Sequence, residues 1–126
     1  MKKRNIIGEN VPKHDGINIV TGKATYVADI KLPGMLYAKV VSSTHPHAIV
    51  KEVDIEKAAS VPGMKAVITC KDIPKKMFYP IYTRPFYPLT DHARCLGDII
   101  AAVAAETEEI AEKAAHQIEV KYEVLP

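Results

Sequence analysis

The clearest pattern of apolar and polar positions lies at the end of the chain, from Gly97 to Pro126. An apolar run within residues 98–105 has the length of a buried strand. Thr107 then stands where a helix N-cap is expected, and apolar residues recur at helical spacing up to Ile118. Residues 119–124 alternate charged and apolar side chains, as in a strand that is covered on one face. The pattern predicts a strand, a helix and a second strand.

This unit runs to the last residue of the sequence with no polar tail behind it. A strand that stops on Leu125 and Pro126 is typical of a chain that continues into a larger protein. We therefore expect this sequence to be a piece of a longer polypeptide, and we expect its function to depend in part on residues outside it.

Two strand-like runs lie in the first half of the chain. Residues 35–43 are rich in strand-forming side chains and follow a turn at residues 32–34, where proline fixes φ and glycine permits a positive φ. Residues 48–55 alternate apolar and charged positions. Because only residues 44–47 separate the two runs, the spacing predicts a hairpin-like pair.

A short helix and another strand follow directly. Asp54 is placed to cap a helix over residues 56–60, and Pro62-Gly63 ends it. Residues 64–70 then form the next predicted strand. The result is a second strand, helix and strand unit, whose sequence does not repeat that of the C-terminal unit.

Two segments lack a regular pattern. Residues 1–16 are basic and polar, which predicts an extended arm that orders only against a partner surface, and residues 17–126 are expected to form one domain. Residues 71–96 contain four prolines, which exclude a long helix or a central strand, and five aromatic rings. These rings either pack on the domain's own core or contact another domain or a flat ligand. The sequence leaves that choice open.

Composition restricts the class of protein. The 126 residues, 48% of them hydrophobic, suffice for one soluble domain with its own core. A net charge of +2, spread along the chain, provides no basic patch for nucleic acid or an anionic membrane. No apolar run reaches the length of a membrane span or a signal peptide, and Cys70 and Cys95 form no CxxC pair. We expect a cytoplasmic protein with no nucleic-acid or membrane partner.

One motif invites a phosphate-binding interpretation. Thr21-Gly22-Lys23 places a lysine and a hydroxyl group beside a glycine. A phosphate loop also needs an earlier glycine, where this chain has Ile17, and a serine or threonine after the lysine, where it has Ala24. We interpret the motif as a turn.

The histidines offer a possible metal site. His45 and His47 could act as ligands together with a third group such as His92. Pro46 between the first two favours a turn at the end of a strand, and no motif supplies the third ligand. We interpret these histidines as turn or surface residues.

Nucleophilic catalysis would require a serine or cysteine held by a histidine and an acid. Cys70 closes an apolar strand and is interpreted as a core residue. Cys95, Ser42 and Ser43 have no local catalytic signature around them. The sequence therefore assigns no nucleophile.

A series of short motifs extends across almost the whole chain in a fixed order. They are Ile7-Gly8, Pro12 to Gly16, Val20 to Tyr26, Asp29-Ile30, Pro33 to Ala38, Ser42-Ser43, Pro46 to Ala48, Asp54, Ala58, Pro62-Gly63, Asp72 to Pro74, Gly97-Asp98, Ala102 to Ala105 and Tyr122 to Pro126. Each is weak alone, but their combined order and spacing are specific. Together they resemble the N-terminal α/β-hammerhead domain of the molybdopterin-containing large subunit in the xanthine dehydrogenase and aldehyde oxidase family.

Some positions depart from the family pattern. Lys13, Met64 and the pair Ile99-Ile100 stand where the family often has Arg, Val and Pro-Val. Residues 75–96 match in length only. The departures leave the fold expectation intact, and the last of them leaves substrate preference open.

The resemblance implies an α+β fold of hammerhead type, with mixed sheets and two short-to-medium helices. It also implies that the large subunit continues well beyond this chain, and that its later part holds the molybdenum cofactor and the catalytic glutamate. No catalytic, cofactor-binding or metal-binding residue is therefore expected here. The fragment alone is expected to be inert, with a structural role.

For the complete enzyme, the resemblance implies hydroxylation of purines, other N-heterocycles or aldehydes, with water as the oxygen source. Electrons would pass through iron–sulfur clusters to FAD, and the partners would be the other domains or subunits of an oligomer. The family's corresponding loop approaches the substrate funnel, which implies that Ile81, Tyr82 and Phe86 lie near its apolar lining. The alternative is an autonomous protein-binding or assembly module whose arm and aromatic loop bind a partner, with no enzymatic role.

Overall fold

The computed structural model describes residue 8, residues 10–77 and residues 87–126. The chain divides into two compact units, Met1–Pro33 and Gly34–Pro126. In the first, the described helix α1 (Gly16–Val20) is followed by a 3-10 turn at Val27–Asp29, and neither element buries a side chain. The sequence pattern did not predict α1. The predicted boundary at residue 16 stays a prediction.

The second unit holds the strands and helices that the hydrophobic pattern predicted, each within two residues of its expected bounds. They are β1 (Tyr37–Ser42), β2 (Ala48–Asp54), α2 (Glu56–Ala59), β3 (Met64–Thr69), β5 (Ile99–Ala105), α3 (Glu108–His116) and β6 (Glu119–Val124). A two-residue strand, β4 (His92–Ala93), was not predicted. β4 lies at the edge of its sheet, in agreement with the prediction that residues 71–96 form no central strand, as far as these residues are described.

The described strands form two antiparallel three-stranded sheets. One has the order β1-β5-β3, and the other has the order β4-β2-β6. Two such sheets with few helices confirm the predicted α+β fold class.

The hairpin-like pairing predicted for β1 and β2 is wrong. β1 pairs with β5, whereas β2 pairs with β4 and β6 in the other sheet. The connection turns locally at Ser43, whose hydroxyl donates to the His45 carbonyl at 2.8 Å and accepts from the His45 amide at 3.2 Å. The spacing located this turn correctly, but partner choice depends on burial, and β1 gains more by lying beside the almost fully apolar β5.

The core lies between the first sheet and the helices. Ala101, Val103 and Ala105 point from β5 toward Ala111 and Ala114 of α3, and all five are at most 1% exposed. Small side chains on both surfaces let the helix approach the sheet closely. The close packing compensates for the scarcity of large side chains in the buried core. The predicted apolar stripe of α3 is confirmed.

Capping residues position both helices of this unit. The Thr107 hydroxyl accepts a hydrogen bond from the Ile110 amide at 3.3 Å, which confirms it as the N-cap of α3. Asp54 Oδ1 accepts from the Glu56 amide at 3.0 Å, although Ile55 holds the N-cap position of α2.

Across the described ranges, no helix combines the length and the apolar character needed to cross a bilayer.

Candidate functional sites

Ile81, Tyr82 and Phe86, the residues expected near a substrate funnel, lie outside the described residues. The structure does describe both ends of their loop. Lys75 Nζ donates to Asp91 Oδ2 at 2.8 Å, and the Arg94 guanidinium lies 5.9 Å from the centre of the Tyr87 ring. The ion pair between Lys75 and Asp91 therefore joins the two ends of the loop, whereas Tyr87 and Arg94 both lie at its second end.

We call the ion pair of Lys75 and Asp91 the clasp. A cleft of about 480 Å³ adjoins it, lined by β2, by the turn after β3 and by Lys75 and Asp91. The hydrogen bond from Lys75 lowers the pKa of Asp91, and the same bond raises the pKa of Lys75. The two groups are thus charged partners at neutral pH. Sequence reasoning missed this pair because sixteen positions separate its members and no local pattern links them.

Cys70 lines the same cleft and is a half-buried free thiol. Loss of solvent is the main cause that raises its pKa, and the nearby Asp91 carboxylate adds to the effect. Because the thiolate is the reactive form, this cysteine is a poor nucleophile at neutral pH. The prediction of Cys70 as a core residue is wrong, because the residue follows the end of β3 at Thr69 and lies partly exposed at the cleft.

The turn after β3 is held by Asp72. Its Oδ2 accepts hydrogen bonds from the Thr69 amide at 2.7 Å and from the Thr69 hydroxyl at 2.9 Å. These bonds stabilise the carboxylate and lower the pKa of Asp72. The motif Asp72-Ile73-Pro74 therefore has a structural explanation at its first residue.

Asp98 plays a similar part in the turn before β5. Its Oδ2 accepts from the backbone amides of Arg94 at 2.7 Å and Cys95 at 3.2 Å, and the Cys95 thiol donates to Oδ1 at 3.0 Å. Gly97 beside it has a φ of +91°, which favours glycine. The Gly97-Asp98 motif thus builds a turn, and it engages Cys95 in that turn.

The structure brings two of the three considered histidines together. The rings of His47 and His92 stack with centroids 5.4 Å apart, whereas His45 meets the edge of Tyr122 at 4.9 Å. His47 Nδ1 lies 2.8 Å from the carbonyl oxygen of Pro126, so the neighbouring backbone already engages that atom. Within residues 10–77 and 87–126, no three His, Cys, Asp or Glu side chains are arranged to hold a metal ion.

The Thr21-Gly22-Lys23 segment is a turn, as predicted. The Gly22 amide donates to the Ile19 carbonyl at 3.2 Å, and Gly22 has a φ of +69°. The Lys23 amide donates to the Asn18 carbonyl at 2.8 Å. This backbone amide therefore serves the turn after α1, which fits a turn rather than a phosphate-binding loop.

Comparison with known proteins identifies the domain. A family model described as "Aldehyde oxidase and xanthine dehydrogenase, a/b hammerhead domain" matches residues 21–126. The chain is 47% identical over 113 residues to a probable subunit of xanthine dehydrogenase from Bacillus subtilis, covering 88% of this chain and 15% of that protein. It is 38% identical over 125 residues to the nicotinate dehydrogenase large molybdopterin subunit of Eubacterium barkeri, covering 98% of this chain and 29% of that one.

Solved structures agree with the sequence matches. A reconstituted CO dehydrogenase from Oligotropha carboxidovorans has a TM-score of 0.86 and 33% identity, covering 94% of this chain and 15% of that chain. Quinoline 2-oxidoreductase from Pseudomonas putida 86 has a TM-score of 0.81 and 29% identity, covering 94% and 16%. The chain thus spans less than a third of the length of these relatives. With the family model matching most of its residues, this chain belongs to the aldehyde oxidase and xanthine dehydrogenase family, as an α/β-hammerhead domain.

Proposed function

We propose that this chain is the hammerhead domain of a molybdenum hydroxylase large subunit that oxidises purines, other N-heterocycles or aldehydes. The observation that carries the proposal is the match of residues 21–126 to the hammerhead family model. The names of the relatives support the substrate classes, since they include xanthine and nicotinate dehydrogenases and a quinoline oxidoreductase.

In the complete enzyme, bound molybdopterin, iron–sulfur clusters and FAD would supply the redox chemistry. This chain's residues do not fit an iron–sulfur cluster. It has two cysteines, whereas an iron–sulfur cluster commonly takes four thiolates, and its described residues form no metal-ligating cluster. We therefore assign the domain a role in packing against the cofactor-binding domains.

The proposal is tested with the native protein, isolated from its source by a tag on this chain. Reduction of a dye acceptor by hypoxanthine, nicotinate, quinoline and an aromatic aldehyde would be measured in parallel. Activity with at least one substrate, carried by a polypeptide or complex several times larger than this chain, is expected. A native protein of this chain alone, bound to a non-redox partner and inactive with all substrates, would instead support the autonomous binding module.

We further propose that the aromatic loop helps to shape substrate access through Ile81, Tyr82 and Phe86. The clasp between Lys75 and Asp91 supports this idea, because it fixes where the loop leaves and rejoins the domain. Loops that are held at both ends by a rigid scaffold are common carriers of specificity.

Alanine substitutions test the loop in the complete enzyme. Ile81→Ala and Tyr82→Ala are expected to change kcat/KM for large substrates relative to small ones by about fivefold to thirtyfold, because an apolar contact of this size is worth about 1–2 kcal/mol. Leu96→Ala, at an exposed apolar residue beyond the stretch between Lys75 and Asp91, is the matched control. Equal kcat/KM ratios in all variants would remove the access role and leave the family assignment intact.

A further inference from the structure

The first sheet has one face packed on α3, and part of its other face is left exposed by the described residues of Gly34–Pro126. Tyr37 and Val41 of β1 pack on the cluster that includes α3. Side chains alternate along a strand, so Ala38 and Val40 point away from that cluster. The same alternation places Ala102 and Ala104 of β5 on the open side. Because Ala66 and Ile68 of β3 pair with these two residues, they lie on the open side as well.

Strand pairing arranges this open face in two rows. Val40, Ala102 and Ile68 are paired across the sheet in one row, and Ala38, Ala104 and Ala66 are paired in the other. Val40 is 53% exposed and Ile68 is 41% exposed, and Ala38 and Ala66 are exposed as well. We call these six residues the open sheet face.

No charged side chain belongs to the open sheet face. The lysines of the flanking strands instead meet acidic residues around the start of α3: Lys39 pairs with Glu108 at 2.7 Å, and Lys65 pairs with Glu106 at 2.6 Å. β5 contains no polar residue at any position from Ile99 to Ala105. Strands that are covered on one face alternate apolar and polar residues, whereas strands buried on both faces are apolar throughout. The composition of β5 is that of a strand with two covered faces.

We propose that the open sheet face is the surface on which this domain docks against the remainder of its own large subunit. The inference rests on the proposed function. The chain makes up only 15% of the matched CO dehydrogenase chain and 15% of the matched xanthine dehydrogenase protein, which leaves ample polypeptide to cover the face. A segment of the same polypeptide is held nearby at high effective concentration, whereas a second copy must be recruited from solution. Four alanines make the face flat enough for close approach of a helix or a sheet.

Thiol accessibility in the native enzyme tests the burial. Val40→Cys and Ile68→Cys would report on the open sheet face, and Lys113→Cys on the exposed side of α3 would be the control, each measured against the reaction of the parent's Cys70 and Cys95. We expect a maleimide to label positions 40 and 68 about tenfold or more slowly than position 113, because a covered thiol reacts only when the structure opens. In urea all three should react alike. Labelling of positions 40 and 68 as fast as position 113 would overturn the proposal.

Photo-cross-linking identifies the occupant. A diazirine analogue of leucine at position 40 should cross-link to residues of the same polypeptide beyond 126. Cross-links to residues 1–33, to a second copy or to a separate polypeptide would overturn it.

The outcomes separate this inference from the proposed function. An enzyme that contains molybdenum and oxidises its substrate, but whose open sheet face labels freely, would refute the docking surface alone. Absence of molybdenum and of any longer polypeptide would refute the proposed function, and the docking inference that rests on it.

Discussion

Gly63 occupies a turn whose backbone conformation favours glycine. Its φ is +88°, and a Cβ placed there would lie 2.7 Å from Ile110 Cδ1, the end of a side chain that must shift to make room. We predict that Gly63→Ala lowers the free energy of unfolding by about 2–3 kcal/mol, mainly from left-handed backbone strain and in smaller part from displacing the Ile110 side chain. Urea denaturation of the 126-residue chain would measure the loss.

Gly97→Ala is the matched control for this substitution, because Gly97 lies in the same unit as Gly63. Gly97 also has a positive φ, of +91°, but nothing lies within 4 Å of a Cβ placed there. Its substitution should lower the free energy of unfolding only through backbone strain, by about 1–2 kcal/mol. Equal losses for the two variants would show that the contact with Ile110 carries no weight.

Asp72 should contribute a pH-dependent part of the stability. Its pKa is lowered in the folded chain because the Thr69 amide and hydroxyl donate to its carboxylate. A lowered pKa means that the unfolded chain binds the proton more tightly. The contribution is therefore fully present above the unfolded pKa, near 4, and is lost as the pH falls through the lower folded value.

Asp72→Asn provides the measurement. The denaturation midpoint of the parent should exceed that of the variant at pH 6, and the difference should shrink at pH 3. A difference that stays constant between these pH values would contradict the role of the Asp72 charge.

At the scale of elements, α3 depends on its first turn. The Thr107 hydroxyl bonds the Ile110 amide, and Glu108 and Glu109 place negative charge at the helix N-terminus. We predict that Thr107→Ala lowers the free energy of unfolding by about 1 kcal/mol. Thr107→Ser keeps the hydroxyl and should recover most of the loss, so identical denaturation curves for the two variants would exclude a capping role.

The elements also show which structural features can be predicted from neighbouring residues and which cannot. The bounds of α3 and β6 follow from a cap, a stripe and an alternation, all written in neighbouring residues, and the prediction placed them correctly. The pairing of β1 with β5 and of β2 with β6 depends on burial against residues far along the chain. The predicted hairpin failed for that reason. α1 was not predicted, since its short apolar stretch buries nothing within the described chain.

At the scale of the whole molecule, the family could be predicted from the order of the motifs, but the candidate functional site could not be located from the sequence. Gly63, Gly97, Asp72 and Asp98 were recognised as motif residues, and the structure shows that their contacts hold turns. The clasp between Lys75 and Asp91 has no local signal. Ile81, Tyr82 and Phe86 remain predictions, because they lie outside the described residues.

The exposed residues of the open sheet face relate the stability of the whole domain to its surroundings. Val40 and Ile68 are 53% and 41% exposed, so a covering surface would provide about half of the 1.5–3 kcal/mol that full burial of such a side chain contributes. Assembly into a larger subunit would recover it. We therefore expect the stability of this domain to rise when the open sheet face is covered.

The most direct test of this account is the molybdenum content of the native protein that carries this chain. Cells supplied with molybdate would be lysed, the protein isolated by a tag on this domain, and metal measured per polypeptide by mass spectrometry. The account predicts stoichiometric molybdenum in a polypeptide or complex several times larger than these 126 residues. A pure protein without molybdenum, from cells whose other molybdenum enzymes are loaded, would contradict it.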